Sequence, residues 1–223
     1  MRLLSTKILS QNFRERILMH QFSLVEQSFI KISFLENPKI DEIFNRLIFT
    51  SQNAVNAVFS VPKIQKMIKG KITYCVGEKT ASLLAENGQK VAKISRNSLE
   101  LAHFLAKNYQ NESFSYFCGK LRTPDLEEIL PLRGMHIKPI EVYSTHLQEH
   151  IVKGHFDGIL FFSPSGVRGY AQNNGFENVH SFCLGNSTAK EVALHTSQYT
   201  VAKEPSESQL LLSLKNHITL YEK

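Results

Sequence analysis

The segment LIFTSQNAV at 47–55 returns as ILFFSPSGV at 159–167, an offset of 112 residues. The echo does not stand alone. VGEKTA (76–81) matches LGNSTA (184–189) at an offset of 108, and VAKISRNSLEL (91–101) matches VAKEPSESQLL (201–211) at 110. LLSTK (3–7) aligns with YFCGK (116–120) at 113, and SFIKISF (28–34) with IKPIEVY (137–143) at a similar spacing. Five matches in one order at nearly one offset point to a duplicated unit of about 110 residues, the size of a domain rather than of a solenoid repeat. A chain of 223 residues holds two such units.

Within each half, short apolar strands alternate with helices, a pattern that builds mostly parallel sheets. Ile159–Phe162 is a run of four apolar residues, as expected of a strand covered on both faces. The turn Ser163-Pro164-Ser165-Gly166 follows it and opens a helix, and Thr50-Ser51-Gln52-Asn53 does the same after LIF. Further strands are expected at 2–8, 71–77, 90–95 and 113–120, with helices from Ser10 to Gln21, 78–88, 98–108 and 124–134. The segments 28–36 and 136–145 alternate apolar and polar residues and are expected to be exposed, extended ribbons.

Hydrophobic residues make up 42% and charged residues 21%, a folded, globular balance. No segment approaches the roughly 18 consecutive apolar residues of a membrane span. Thr6, Lys7 and Gln11 interrupt the first apolar run too early for a signal sequence, so the cytoplasm is the expected compartment. Cys75, Cys118 and Cys183 form neither a disulfide framework nor a CxxC pattern, and each closes an apolar stretch as a strand-end residue would. The net charge of +6, from 26 basic and 20 acidic residues, is spread along the chain. Such a field suits a polyanionic small molecule as well as nucleic acid. Single-stranded nucleic-acid binding also calls for aromatic residues interleaved with basic ones, which the chain lacks. Neither nucleic acid nor membrane is an expected partner.

Two pairs of turns carry the chemistry. In the first, Thr50 and Ser51 correspond to Ser163, Ser165 and Gly166. In the second, Gly77-Glu78-Lys79-Thr80-Ala81 and Gly185-Asn186-Ser187-Thr188-Ala189 share Gly-x-x-Thr-Ala. Hydroxyls at such places cap helix N-termini, worth about 1 kcal/mol each, and they also bind anions together with the helix N–H groups. The residues alone leave both roles open. Their repetition in both halves reads as a mirrored pair of ligand-facing rims, suited to a large, charged, roughly two-fold ligand. Nothing matches GxxxxGK[ST], GxGxxG or GxSxG. Gly119-Lys120 lacks the upstream glycine of a phosphate loop. His146, His150 and His155 fit no standard metal spacing and read as solvated helix residues, as Glu127-Glu128 read as a solvated helix face.

The ordered set LIFTSQNAV, YCVGEKTASLLAENG, IEVYST, ILFFSPSGV, CLGNSTA and AKEPSESQLL resembles the uroporphyrinogen-III synthases of tetrapyrrole (haem) biosynthesis, from about residue 3 to 215. The resemblance implies two similar parallel-sheet, three-layer α/β domains joined by a two-stranded extended linker, with the active cleft between them. Residues 1–30 and 146–223 would form one domain and 36–137 the other, with 28–36 and 136–145 as crossing linkers. It further implies a cyclising lyase without cofactor or metal. Linear hydroxymethylbilane closes to uroporphyrinogen III with loss of water and inversion of ring D. By the same correspondence Tyr143 is the catalytic residue, assisting loss of the hydroxyl, and Thr50, Ser51, Gly77, Thr80, Ser163, Ser165, Gly166, Gly185 and Thr188 bind substrate. A monomer is implied, in transient contact with the deaminase that produces hydroxymethylbilane. The alternative is a non-catalytic tetrapyrrole- or anion-sensing module with the same fold. Three local departures stand out: TSQNA lacks the proline of SPSG, GNST replaces a threonine pair, and His180-Ser181 occupy a place where some members carry lysine.

Overall fold

In the computed structural model, which describes the backbone of residues 1–221 and the side chains of 1–217, the chain opens with strand β1 (Arg2–Ser5), helix α1 (Gln11–Leu18) and β2 (Ser23–Glu26). There follow β3 (Ile30–Phe34), β4 (Arg46–Phe49), α2 (Gln52–Phe59), α3 (Pro62–Ile68), β5 (Ile72–Val76), α4 (Glu78–Glu86) and β6 (Lys90–Ser95). Next come α5 (Ser98–Asn108), β7 (Ser113–Gly119), α6 (Asp125–Ile129), a 3-10 turn (Pro131–Arg133) and β8 (His136–Leu147). The last stretch holds β9 (Gly158–Phe161), α7 (Pro164–Ala171), β10 (His180–Cys183), α8 (Asn186–Val192), β11 (Tyr199–Val201) and α9 (Glu207–Tyr221).

These elements divide into two compact units, Met1–Lys31 with His146–Lys223, and Ile32–Thr145. The first unit has a sheet ordered β11-β10-β9-β1-β2, with parallel pairing throughout. The second has β3-β8-β7-β4-β5-β6, parallel from β8 to β6. With β3 set aside, the two orders are the same, so the sequence duplication is a duplication of sheets.

Because successive strand residues point to opposite faces, each sheet buries two sets of side chains and needs helices on both sides. In the first unit Leu3, Leu160 and Phe182 pack with Phe13 and Ile17 of α1 and with Leu210 and Leu214 of α9. On the other face Leu4, Ile159 and Phe161 meet Val167 and Tyr170 of α7 and Val192 of α8. In the second unit Leu47, Phe49 and Phe117 pack on α2, α3 and α4 through Val55, Ile64 and Leu84. Ile48, Tyr74 and Tyr116 face Leu101 and Leu105 of α5. Each large apolar side chain so covered contributes about 1.5–3 kcal/mol. The three cysteines are buried, and burial pushes each thiol up to about 12. Among the described residues no helix is long and apolar enough to cross a membrane.

Three sequence expectations change, and one strand appears that the sequence reading did not include. Residues 136–145 are not an exposed ribbon: β8 pairs with β7 from Ser113–His136 to Gly119–Tyr143, and Ile140, Val142 and Tyr143 are buried. A strand with one covered face shows the same alternation as a free ribbon. Strand β2, only four residues long and half-covered at three of them, carries too little pattern to be read. The helix expected over 124–134 breaks at Pro131, which has no N–H to donate, into α6 and the 3-10 turn. Finally, the LLSTK–YFCGK match is displaced by two residues. Ser5 pairs with Leu160 and Tyr116 with Ile48, and Leu160 is the repeat counterpart of Ile48, so Ser5 stands where Tyr116 does.

Candidate active site

In a parallel sheet the carboxyl ends of the strands share one edge, and the following helices begin there. In the second unit the turn after β4 supplies Thr50 and Ser51. Ser51 has extended backbone, which aims its oxygen back at α2, where it accepts the Ala54 N–H at 3.2 Å. The same oxygen lies 3.1 Å from the Tyr143 hydroxyl. Thr50 is engaged separately, its hydroxyl 2.9 Å from that of Tyr116. Tyr143 belongs to the core on one face of the sheet and Tyr116 to the core on the other, so a tyrosine from each side fastens this turn.

Tyr143 reaches Ser51 because of an irregularity beneath it. The β7–β8 register shifts between Cys118 and Gly119, which brings Tyr143 opposite Gly119. A Cβ at Gly119 would lie 2.5 Å from Tyr143 Cζ and 2.6 Å from Cε2, so only glycine admits the ring there. The Lys120 N–H then donates to the Tyr143 carbonyl at 3.1 Å. Arg122 closes the assembly. Its Nε and Nη2 donate to the two Glu127 oxygens at 2.7 and 2.9 Å, and Nη1 donates to Glu141 at 3.0 Å and to the Gly119 carbonyl at 3.2 Å. Glu127 is therefore an ion-pair partner rather than part of a solvated face, whereas Glu128 is exposed. Tyr143 is 8% exposed, and burial raises its pKa against the opposing effect of the Ser51 hydrogen bond. At neutral pH it is a phenol with a proton to donate.

At the end of β5, Gly77 has φ 83°, a left-handed conformation that favours glycine, and it precedes α4. Thr80, 4% exposed, lies in the first turn of that helix, and its N–H donates to the Gly77 carbonyl at 3.1 Å. In the first unit Ser163 accepts the Gly166 N–H at 3.1 Å and caps α7, with the Ser165 hydroxyl 3.1 Å away. Gly166 is buried in that turn. Gly185 precedes α8 with extended backbone at φ −167°, which any residue adopts, and Thr188 is 2% exposed. The predicted residues thus gather unit by unit at strand carboxyl ends. Ser51 and Tyr143 touch directly, as do Ser163 and Ser165, while Thr50 is held by Tyr116. Reading the sequence missed Tyr116, Gly119 and Arg122. The available signal was Gly119-Lys120, considered only as a fragment of a phosphate loop.

His146 lies in β8, one residue before its end, while His150 and His155 lie in the connection to β9 rather than on a helix; His155 sits 3.5 Å from Asp157. Among the described residues no group of three or more His, Cys, Asp or Glu side chains is placed to hold a metal ion.

The family model described as uroporphyrinogen-III synthase HemD matches residues 11–211. Among solved structures, the uroporphyrinogen-III synthetase of Helicobacter pylori is 24% identical, with a TM-score of 0.69 over 96% of this chain and 99% of that one. A mutant uroporphyrinogen III synthase from Thermus thermophilus is 14% identical, with a TM-score of 0.66 over 98% of each chain. At these identities the two structures speak to the fold. No curated protein matches significantly. Because the family model spans residues 11–211, most of the chain and every turn described above, the chain belongs to the uroporphyrinogen-III synthase family.

Proposed function

We propose that this chain converts linear hydroxymethylbilane into uroporphyrinogen III, with loss of one water and inversion of ring D. The observation that carries this reading is the Tyr143 hydroxyl held against Ser51 at a strand carboxyl edge, in a chain matched to the family from residue 11 to 211. Loss of the substrate hydroxyl leaves an azafulvene cation stabilised by the electron-rich pyrrole, so a hydrogen-bond donor suffices where a strong acid would be superfluous. Tyr143 donates to the departing oxygen. Ring D then attacks through its substituted carbon, forming a spiro intermediate that reopens and closes in the inverted sense. The demand on the protein is orientation, and holding a flexible chain in one reactive geometry can lower a barrier by about 7–11 kcal/mol.

The substrate's eight carboxylates need donors without competing negative charge. Ser51, Thr80, Ser163, Ser165 and Thr188 supply hydroxyls, the backbone at Gly185 supplies an N–H beside a helix start, and Gly77 and Gly166, whose own N–H groups bond the Ser95 carbonyl and the Ser163 hydroxyl, let the substrate approach the backbone closely. Thr50 contributes by fixing the turn through Tyr116. The protein acts as a cytoplasmic monomer and takes hydroxymethylbilane by transient contact with the deaminase that releases it, because the free compound also closes by itself to isomer I.

The test supplies freshly made hydroxymethylbilane, oxidises the products and resolves isomers I and III by chromatography. Isomer III in excess, in proportion to the protein added, is the expected outcome. Isomer I alone, at the spontaneous rate, would refute the assignment.

A further inference from the structure

We propose that Arg122 is a positioning residue for Tyr143, acting through the two backbone segments that form its seat. The inference rests on the reading of Tyr143 as the residue that assists hydroxyl loss. Past the bulge, the sheet holds Tyr143 to the end of β7 by the Lys120 N–H to the Tyr143 carbonyl, and the ring lies directly over Gly119. One guanidinium grips both sides of this junction: Nη1 donates to the Gly119 carbonyl and to the carboxylate of Glu141, two residues before Tyr143 on β8. The opposite edge of the guanidinium is anchored bidentately on Glu127 of α6. With the Arg122 side chain only 18% exposed, the fork is sheltered, and its planar geometry cannot be reproduced by an ammonium group. Loosening the fork frees Gly119 against Glu141, so the phenol hydroxyl drifts from Ser51 while the carboxylate-holding turns stay in place.

The experiment compares Arg122→Lys and Arg122→Gln, each alone and combined with Tyr143→Phe, and follows the ring signal of Tyr143 by 13C NMR of tyrosine-labelled protein. Arg122→Lys keeps the charge beside Glu127 and Glu141, which guards against simple unfolding. The expected result is a kcat lowered about tenfold with little change in KM, a shifted or broadened Tyr143 signal, and almost no further loss when Arg122→Lys is added to Tyr143→Phe. Arg122→Gln should match or exceed these losses. Equal fold-losses in both backgrounds, a loss carried by KM, or an unmoved Tyr143 signal would overturn the proposal. If Tyr143→Phe alone left kcat unchanged, the catalytic reading of Tyr143 would fall, and the ring signal would still decide whether Arg122 holds the side chain.

Discussion

In the first unit β1 and β2 run four residues each and stop at Ser5 and Glu26, whereas their counterparts β7 and β8 in the second unit run seven and twelve. The two units share the strand order, the serine caps on α2 and α7, and the threonines in the first turns of α4 and α8. What only the second unit has lies in the extension, where Gly119, the bulge, Tyr143 and Arg122 come together. Beside its cap bond, Ser51 has the Tyr143 hydroxyl; Ser163, its counterpart, has the Ser165 hydroxyl. Duplication thus produced two sets of serine-capped turns, and the longer strand pair brings the Tyr143 phenol to one of them.

The contrast is broken most severely by Gly119→Ala. Its Cβ would stand 2.5 Å from Tyr143 Cζ, and the displaced phenol should cost about a hundredfold in kcat, with about 1–3 kcal/mol of stability lost to overpacking. Gly166→Ala in the first unit meets only ordinary contacts and should leave the melting temperature nearly unchanged. Next in size is the serine pair. Ser51→Ala and Ser163→Ala each remove a cap and should each cost about 1 kcal/mol in denaturant unfolding. Only Ser51→Ala also frees Tyr143, so only it should lower kcat, by about threefold to tenfold; equal effects on kcat would erase the distinction between the rims. The threonines test the shared part: Thr80→Val and Thr188→Val should each raise KM by about tenfold or less with kcat kept. A change in one alone would show that the two rims do not share the carboxylates.

The last test concerns pH. His180 and His217 face each other at a 37° tilt with ring centroids 4.0 Å apart, and His180 also bonds Thr200 at 2.8 Å. Burial first, and then the neighbouring His217, pull His180 down to about 4. The unfolded chain takes up its proton near the ordinary value of 6.5 and the folded chain does not, so stability falls as pH drops from about 6.5 to about 4 and levels off below. Thermal melts across that window should show a shallower fall in His180→Gln, whose amide can still meet Thr200.

Sequence alone revealed the part that repeats. Ser51 and Ser163 were legible because each follows a buried strand and opens a helix, and because each vouches for the other. Tyr143 was legible only through family resemblance, since a tyrosine in an alternating stretch looks like any half-buried strand residue. Gly119 and Arg122 escaped because their roles depend on a register shift between strands, which no local pattern announces. The same blindness displaced the match of β1 to β7 by two residues. Residues 136–145 were misjudged because alternation records one covered face without saying what covers it.

The most direct test of this division is the ratio of isomers III to I formed from fresh hydroxymethylbilane by Tyr143→Phe, set beside the unaltered protein at equal folded concentration. The account predicts that the unaltered chain gives isomer III in excess. The phenylalanine variant should bind substrate but let spontaneous closure overtake it, shifting the mixture toward isomer I. An unchanged ratio and rate in the variant would contradict it.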